Sequence, residues 1–287
     1  MKVETTSERL LFNTCYIEAH AGGEMNQGTG FFYSVPAAND SIVHFIVTNR
    51  HVTRDAEKLS FRLFRKDKDG DPQLGKTVTV NLVSVDFDPI QYPENSSYDV
   101  AVVPLLPLLS HAGLSPEDVY FRSISPDICV GPGGNPWMNA IEDVTMVGYP
   151  NGLFDTHNFT PIVRRGVTAT PPRLEYQNTP TFLIDAAVYP GSSGSPVFLH
   201  SEGFVQDKPG NYRSGERFWC LGILAAGHTQ QVFGSVGDLP AEEIFTHFEA
   251  PINLGIVYKS NIWHECCIEL MRKNGIEPAE IKRDRES

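Results

Sequence analysis

The amino-acid sequence predicts an all-β protein of two β units followed by one C-terminal helix. Glycine and proline are frequent, at 24 and 21 of 287 residues, and they are spread along the whole chain. That distribution is typical of turns between many short strands. Apolar or alternating segments lie between these turns, and only the end of the chain has a helical pattern.

The first predicted unit covers residues 1–125. A turn at residues 28–30 is followed by a predicted strand at 31–35. Residues 41–48 are almost wholly apolar, as in a strand buried on both faces. Residues 110–141 hold several proline and glycine turns, so we interpret them as the connection between the units.

The second predicted unit covers residues 126–259. Residues 200–217 are interpreted as a long exposed hairpin loop because they are mostly charged, polar or glycine. Further strands in the two units are predicted at 78–82, 100–103, 144–149, 161–169, 181–186, 196–199, 218–226 and 253–259.

Residues 260–287 are predicted to form a C-terminal amphipathic helix and a charged tail. Apolar residues recur there at the i, i+3, i+4, i+7 spacing of one helix face; they are Trp263, Cys266, Cys267, Leu270 and Met271. Because this spacing puts both thiols on the apolar face, burial explains them better than metal binding with His264 and Glu265. The other histidines, His200 among them, show no ligand spacing, so the sequence predicts no metal site and no cofactor.

Composition excludes several classes of function. The net charge of −12 and the pI of about 5.2 disfavour nucleic acid as a partner, because phosphate binding needs a basic face. No apolar run is long enough to span a membrane. The N-terminus lacks the apolar stretch of a signal peptide, and the cysteine count of five is odd. We therefore expect a reduced, cytoplasmic protein.

Three short segments carry residues suited to nucleophilic catalysis. His51 follows an apolar strand, Asp99 enters another, and Ser193 lies in the sequence GSSGSP. A serine hydroxyl needs a base within hydrogen-bond reach, and histidine suits that role near neutral pH. A carboxylate holds the imidazole in one tautomer, and a glycine before the serine allows a turn that points backbone N–H groups at an oxyanion.

The order His51, Asp99, Ser193 resembles that of the trypsin-like (chymotrypsin-fold) serine peptidases. Within that group the chain is most similar in motif style to bacterial high-temperature-requirement-type protease domains. The resemblance covers about residues 10–260 and rests on residues 28–32, 48–52, 98–103, 148–150, 164–166 and 185–194. It implies two six-stranded antiparallel β-barrels with the active site between them, and no PDZ module after them.

The resemblance also implies residue roles. Ser193 would be the nucleophile, His51 the general base and acid, and Asp99 the orienting carboxylate. The N–H groups of Gly191 and Ser193 would form the oxyanion hole. The remaining matches concern substrate binding: Ala187 at the base of the S1 pocket, and a strand that pairs with the substrate, formed by Leu224, Ala225, Ala226 and Gly227.

Departures from the family pattern refine these expectations. Ser192 stands where zymogen-activated members have an acid, and Val52 and Tyr189 stand near positions that are cysteines in secreted members. The uncharged Ala187 predicts a small or apolar P1 residue rather than Lys or Arg. Arg164 and the residue after it are interpreted as a solvated pair, with a contact to the oxyanion loop as the alternative.

The sequence therefore predicts a regulated intracellular serine endopeptidase acting on protein or peptide substrates. One alternative is a catalytically latent or pseudoprotease module that binds peptides and needs a partner protein for activation. A third hypothesis is a quality-control protease for misfolded chains, which the expected lack of a PDZ module disfavours.

Overall fold

The fold was obtained as a computed structural model, which describes residues 1–84, 89–131, 138–208, 210–236 and 244–280. Two antiparallel β-sheets and a C-terminal helix account for its architecture, so the predicted chymotrypsin-like fold class is confirmed. No helix within these ranges is long and apolar enough to cross a membrane.

The first sheet contains seven strands in the order β5-β4-β1-β2-β3-β6, with β7 paired to β4. The strands are β1 (Thr14–Ala21), β2 (Glu24–Pro36), β3 (Ile42–Thr48), β4 (Lys58–Lys66), β5 (Pro72–Val83), β6 (Ala101–Pro104) and β7 (Val119–Tyr120). Six strands were expected. The seventh arises because residues 119–120, within the predicted connection, pair with Phe64 and Arg65 of β4.

The second sheet is a closed six-stranded barrel in the order β10-β13-β12-β11-β8-β9. Its strands are β8 (Asp143–Gly148), β9 (Ile162–Thr168), β10 (Thr181–Asp185), β11 (Pro196–Lys208), β12 (Asn211–Val236) and β13 (Ile244–Lys259). The prediction of a hairpin loop at residues 200–217 is wrong, because β11 and β12 pair through most of that segment. Its charged side chains hid the strands from a pattern based on hydrophobicity.

Four α-helices are described: α1 (Thr6–Leu10), α2 (Arg50–Thr53), α3 (Leu105–His111) and α4 (Asn261–Lys273). The predicted C-terminal helix is α4, and all five residues of its apolar pattern are buried. The other three are short and were not predicted. A capping box of Thr5 and Glu8 begins α1, and it was a readable signal.

A shared hydrophobic core joins α4 to both sheets. Trp263 is fully buried, and its ring lies edge-on to Phe31 of β2 with centroids 5.4 Å apart. The same cluster contains Val47 of the first sheet and Phe198 of the second. Packing of α4 therefore stabilises the contact between the sheets.

All five cysteines are buried, and none forms a disulfide. Burial raises the pKa of the Cys266 thiol to about 12, and it also raises the pKa of Cys15 and Cys267. These thiols behave as apolar core groups, in agreement with the interpretation of the pair on α4.

Replacing Trp263 with alanine should lower the free energy of unfolding by about 3–5 kcal/mol, because the site is closely packed and a cavity would remain. Urea denaturation followed by circular dichroism measures the change. The control is Glu265→Ala, an exposed position on the same helix, with an expected change within about 0.5 kcal/mol. Equal effects of the two substitutions would contradict this role of Trp263.

Candidate active site

His51 and Asp99 form a close, doubly bonded pair. The ring Nδ1 of His51 lies 2.6 Å from Asp99 Oδ2, and the backbone N–H of His51 donates to Asp99 Oδ1 at 2.9 Å. The His51 side chain is 51% exposed and that of Asp99 26%. The carboxylate only accepts hydrogen bonds, so Nδ1 carries the hydrogen and Nε2 of a neutral ring keeps its lone pair.

The backbone around this pair is held by hydrogen bonds from two polar side chains. His51 lies on the single turn α2, directly after β3. Asn49, fully buried, donates from Nδ2 to the carbonyl of Asp99 at 2.7 Å. The hydroxyl of Tyr258 donates to the carbonyl of Ser97 at 3.2 Å. Burial is the largest cause that raises the pKa of Tyr258, so the phenol stays a donor.

The loop before Ser193 contains a tight turn centred on Pro190 and Gly191. Ser192 donates its N–H to the carbonyl of Tyr189 at 3.0 Å, and Gly191 has a φ of +81°. Proline followed by a residue with positive φ is the signature of a type II turn. Glycine is favoured here because other residues rarely adopt that conformation.

Asn151 determines the direction of the Gly191 N–H group. Its backbone N–H donates to the carbonyl of Pro190 at 2.6 Å. The C=O and N–H of a trans peptide point in opposite directions. The Gly191 N–H therefore points away from Asn151 and is available as a donor for another group.

Thr29 of β2 connects the first sheet to the Ser193 loop. Its hydroxyl donates to the carbonyl of Gly191 at 2.9 Å and accepts from the N–H of Tyr149 at 3.1 Å. Its backbone N–H donates to the carbonyl of Ser193 at 2.8 Å. Gly194 has a φ of +89°, and a β-carbon there would overlap the carbonyl of Thr29. These contacts require a small residue with a hydroxyl group at position 29 and a glycine at position 194.

Thr29 also connects the Ser193 loop to the segment that carries His51. The hydroxyl of Thr48 donates to the carbonyl of Thr29 at 2.7 Å, and His51 follows Thr48 by three positions. The hydroxyl of Ser193 donates to the carbonyl of Ala225 at 3.1 Å. Among the hydrogen bonds of the described residues, none joins Ser193 Oγ to His51.

The predicted substrate-binding strand lies in β12, next to the Ser193 loop. Gly194 donates its N–H to the carbonyl of Leu224 at 2.8 Å, and the N–H of Leu224 donates to Ser195 at 2.9 Å. Gly227 pairs with Gly255 of β13. The backbone of Ala226 pairs with Ile256, while the Ala226 side chain lies outside the described residues.

Val188 packs against Gly227 of the predicted substrate-binding strand, a contact that was not predicted from the sequence. It is buried, and a β-carbon built on Gly227 would lie 3.1 Å from its Cγ1. Its Cγ2 would similarly lie 3.0 Å from a β-carbon on Gly255. The two methyl groups thus occupy the space between two glycines. Ala187, Ala226 and Gly227 were expected around the pocket and Val188 was not; the facing glycines of β12 and β13 were the available signal.

Arg164 contacts the same loop, as the alternative interpretation of the arginine pair expected. Its Nη1 donates to the carbonyl of Ala187 at 3.2 Å, and its guanidinium lies 4.9 Å from the ring centroid of Tyr189. It therefore braces the residues that precede the Gly191 turn.

A family model, described as a trypsin-like peptidase domain, matches residues 28–205. This range holds His51, Asp99 and Ser193 together. The chain belongs to the trypsin-like peptidase family. Serine protease is the class of enzyme that this membership indicates.

Solved protease structures are similar to this trypsin-like peptidase at low identity. An HtrA-type protease, AlgW with a tripeptide, is 16% identical over 96% of this chain and 65% of its own, with a TM-score of 0.48. This chain therefore spans under two thirds of that relative. The protease Anisep of Arthrobacter nicotinovorans is 14% identical, over 91% and 95% of the two chains, with a TM-score of 0.44. Tobacco etch virus protease with product is 12% identical, over 100% and 88%, with a TM-score of 0.45. No curated protein sequence matches.

Thr29→Val should loosen the Gly191 turn of this peptidase, since it removes one hydroxyl that both donates and accepts. The expected loss of stability is about 1–3 kcal/mol, with faster amide hydrogen exchange at residues 189–194. Thr170→Val is the matched control, because the Thr170 hydroxyl accepts from Leu183 at 2.8 Å. It should lower stability without faster exchange in the loop. Unchanged exchange in Thr29→Val would show that the loop does not depend on this hydroxyl.

Proposed function

We propose that the chain is a serine endopeptidase with Ser193 as nucleophile, His51 as general base and Asp99 as the carboxylate that orients His51. The observation that carries this proposal is the doubly bonded His51–Asp99 pair, with Nδ1 and Oδ2 at 2.6 Å. It leaves His51 Nε2 free to accept a proton. A ring held in that tautomer is what a serine nucleophile requires.

The proposed reaction proceeds through an acyl-enzyme. Ser193 Oγ attacks the peptide carbonyl as His51 Nε2 takes its proton, and the proton then passes to the leaving amine. Water, deprotonated by His51, hydrolyses the acyl-enzyme. The N–H groups of Gly191 and Ser193 would stabilise the oxyanion, and the Asn151–Pro190 bond of 2.6 Å favours that role for Gly191.

Substrates would bind by strand addition along residues 224–227, which holds a peptide by its backbone. The position of Val188 between Gly227 and Gly255 favours a small or apolar P1 residue, because its methyl groups shorten the pocket. We place the enzyme in the cytoplasm. Its buried cysteines, which form no disulfide, are compatible with a reducing compartment.

The second candidate is a latent or pseudoprotease form that needs an activating partner. The hydrogen bond from Ser193 Oγ to the Ala225 carbonyl, 3.1 Å long, favours it. A hydroxyl committed to that carbonyl has its hydrogen directed away from His51. Regulation by a protein, a substrate or an oligomer that reorders this loop belongs to the same proposal.

Ser193→Ala should abolish labelling by a fluorophosphonate probe and lower kcat by about 10⁶-fold. Asp99→Asn should lower kcat by about 10⁴-fold, because the wrong imidazole tautomer is then favoured. Gel fluorescence and cleavage of a peptide library measure both effects.

Ser192→Ala is the control, because the Ser192 hydroxyl is buried and has no hydrogen-bond partner among the described residues. It should label like the wild type. Labelling that survives in Ser193→Ala would contradict the nucleophile assignment. A folded wild type that never labels would favour the latent form.

Val188→Ala should shift the P1 preference toward larger residues. The ratio of kcat/KM for a phenylalanine substrate to that for an alanine substrate should rise by about 10-fold, as the pocket gains the volume of two methyl groups. Val205→Ala, which shortens a buried valine in β11, should leave the ratio unchanged. Cleavage of the library mainly after Lys or Arg would be incompatible with this pocket.

A further inference from the structure

Three potential metal ligands meet at the base of the hairpin formed by β11 and β12. His200 and Glu202 lie two positions apart on β11, so their side chains share one face of the strand. Glu216 of β12 is the residue directly opposite Glu202. The sequence around His200 shows no ligand spacing because the third residue comes from the paired strand.

The ligand atoms converge on one point. His200 Nε2 lies 2.9 Å from Glu216 Oε1 and 3.1 Å from Glu202 Oε1. One ring nitrogen carries at most one hydrogen, so it cannot make two full hydrogen bonds to these carboxylates. Two carboxylates directly opposite each other on neighbouring strands also repel. A cation coordinated by His200 Nε2 and both carboxylates would satisfy all three groups at once.

The dimensions fit a small divalent cation. With metal–ligand bonds of about 2.0–2.2 Å, tetrahedral geometry separates ligand atoms by about 3.4 Å. The two contacts to His200 need to open by only a few tenths of an ångström, and all three ligand atoms lie within 4.8 Å of one another. One imidazole nitrogen with two carboxylate oxygens suits Zn²⁺ better than Ca²⁺ or Mg²⁺, which prefer oxygen alone.

Neighbouring groups orient these side chains. Thr6 of α1 donates its hydroxyl to Glu216 Oε2 at 3.0 Å, and Ser7 donates to Glu202 Oε1 at 3.2 Å. Hydrogen bonds of this kind typically support ligating carboxylates. The next charge along β12, Arg217, is engaged by Glu142 at 2.8 and 3.1 Å.

We propose that His200, Glu202 and Glu216 bind one divalent transition-metal ion of the Zn²⁺ class, with water completing the coordination. The ion links β11 to β12, and the hydroxyls of Thr6 and Ser7 extend that link to the N-terminal helix α1. The site uses none of the residues assigned to catalysis, so its occupancy is a separate question from the proteolytic activity.

The test is titration of the chelator-treated full chain with ZnCl₂, followed by calorimetry and thermal denaturation. The wild type should bind one Zn²⁺ saturably, and its Tm should rise with the Zn²⁺ concentration because the ion binds the folded state. Glu202→Gln and His200→Gln should each weaken binding by at least about 10-fold. MgCl₂ at the same concentration should leave the Tm unchanged.

Glu117→Gln changes an exposed acid that pairs with Lys66 of β4; it is the matched control and should bind Zn²⁺ like the wild type. If His200→Gln fails to fold, the result for Glu202→Gln decides whether the site exists, because a substitution of that exposed side chain should not prevent folding. Binding that persists in Glu202→Gln would assign the ion to other groups, such as the cysteines, and overturn the proposal. No saturable binding by the wild type would overturn it as well and leave His200 as an ion-pair partner.

Discussion

The contact between Thr29 and the Ser193 loop is the constraint on which the site depends. One residue of the first sheet bonds three backbone groups of the second, at Tyr149, Gly191 and Ser193. Hydrogen bonds to buried backbone are costly to leave unmade, so the two sheets can approach in only one register. The loop that carries Ser193 is therefore placed by a residue far from it in sequence.

Two glycines near Thr29 leave no room for a side chain. A β-carbon on Gly194 would overlap the Thr29 carbonyl, and a β-carbon on Gly28 would lie 2.7 Å from Val52 Cγ1, beside His51. Glycine at position 194 is thus required by the junction with Thr29, and glycine at position 28 by the packing of β2 against Val52. These glycines are therefore needed for packing, whatever their role in catalysis.

The parts of the site that follow from local sequence were predictable, and the parts that depend on distant pairing were not. Helix α4 was predicted because its apolar face repeats within one segment. His51, Asp99 and Ser193 were proposed because each lies in a recognisable motif. Val188 and Asn151 act through residues of other strands and loops, and no local pattern indicates such contacts. The hairpin at 200–217 was missed for a related reason, since strand pairing can persist where both faces are polar.

The carbonyl of Ala225 has a role in both the active and the latent form considered for this enzyme. This carbonyl accepts from Ser193 Oγ at 3.1 Å, and in the proposed binding mode a peptide added along residues 224–227 would use the same carbonyl as an acceptor. A peptide N–H that takes this acceptor competes with the serine hydroxyl for it. The displaced hydroxyl then needs another acceptor, and the lone pair on His51 Nε2 is the one that the Asp99 pairing leaves available. Substrate binding and activation of Ser193 would therefore be coupled through the Ala225 carbonyl. A latent form of the protein could then have a correctly paired His51 and Asp99.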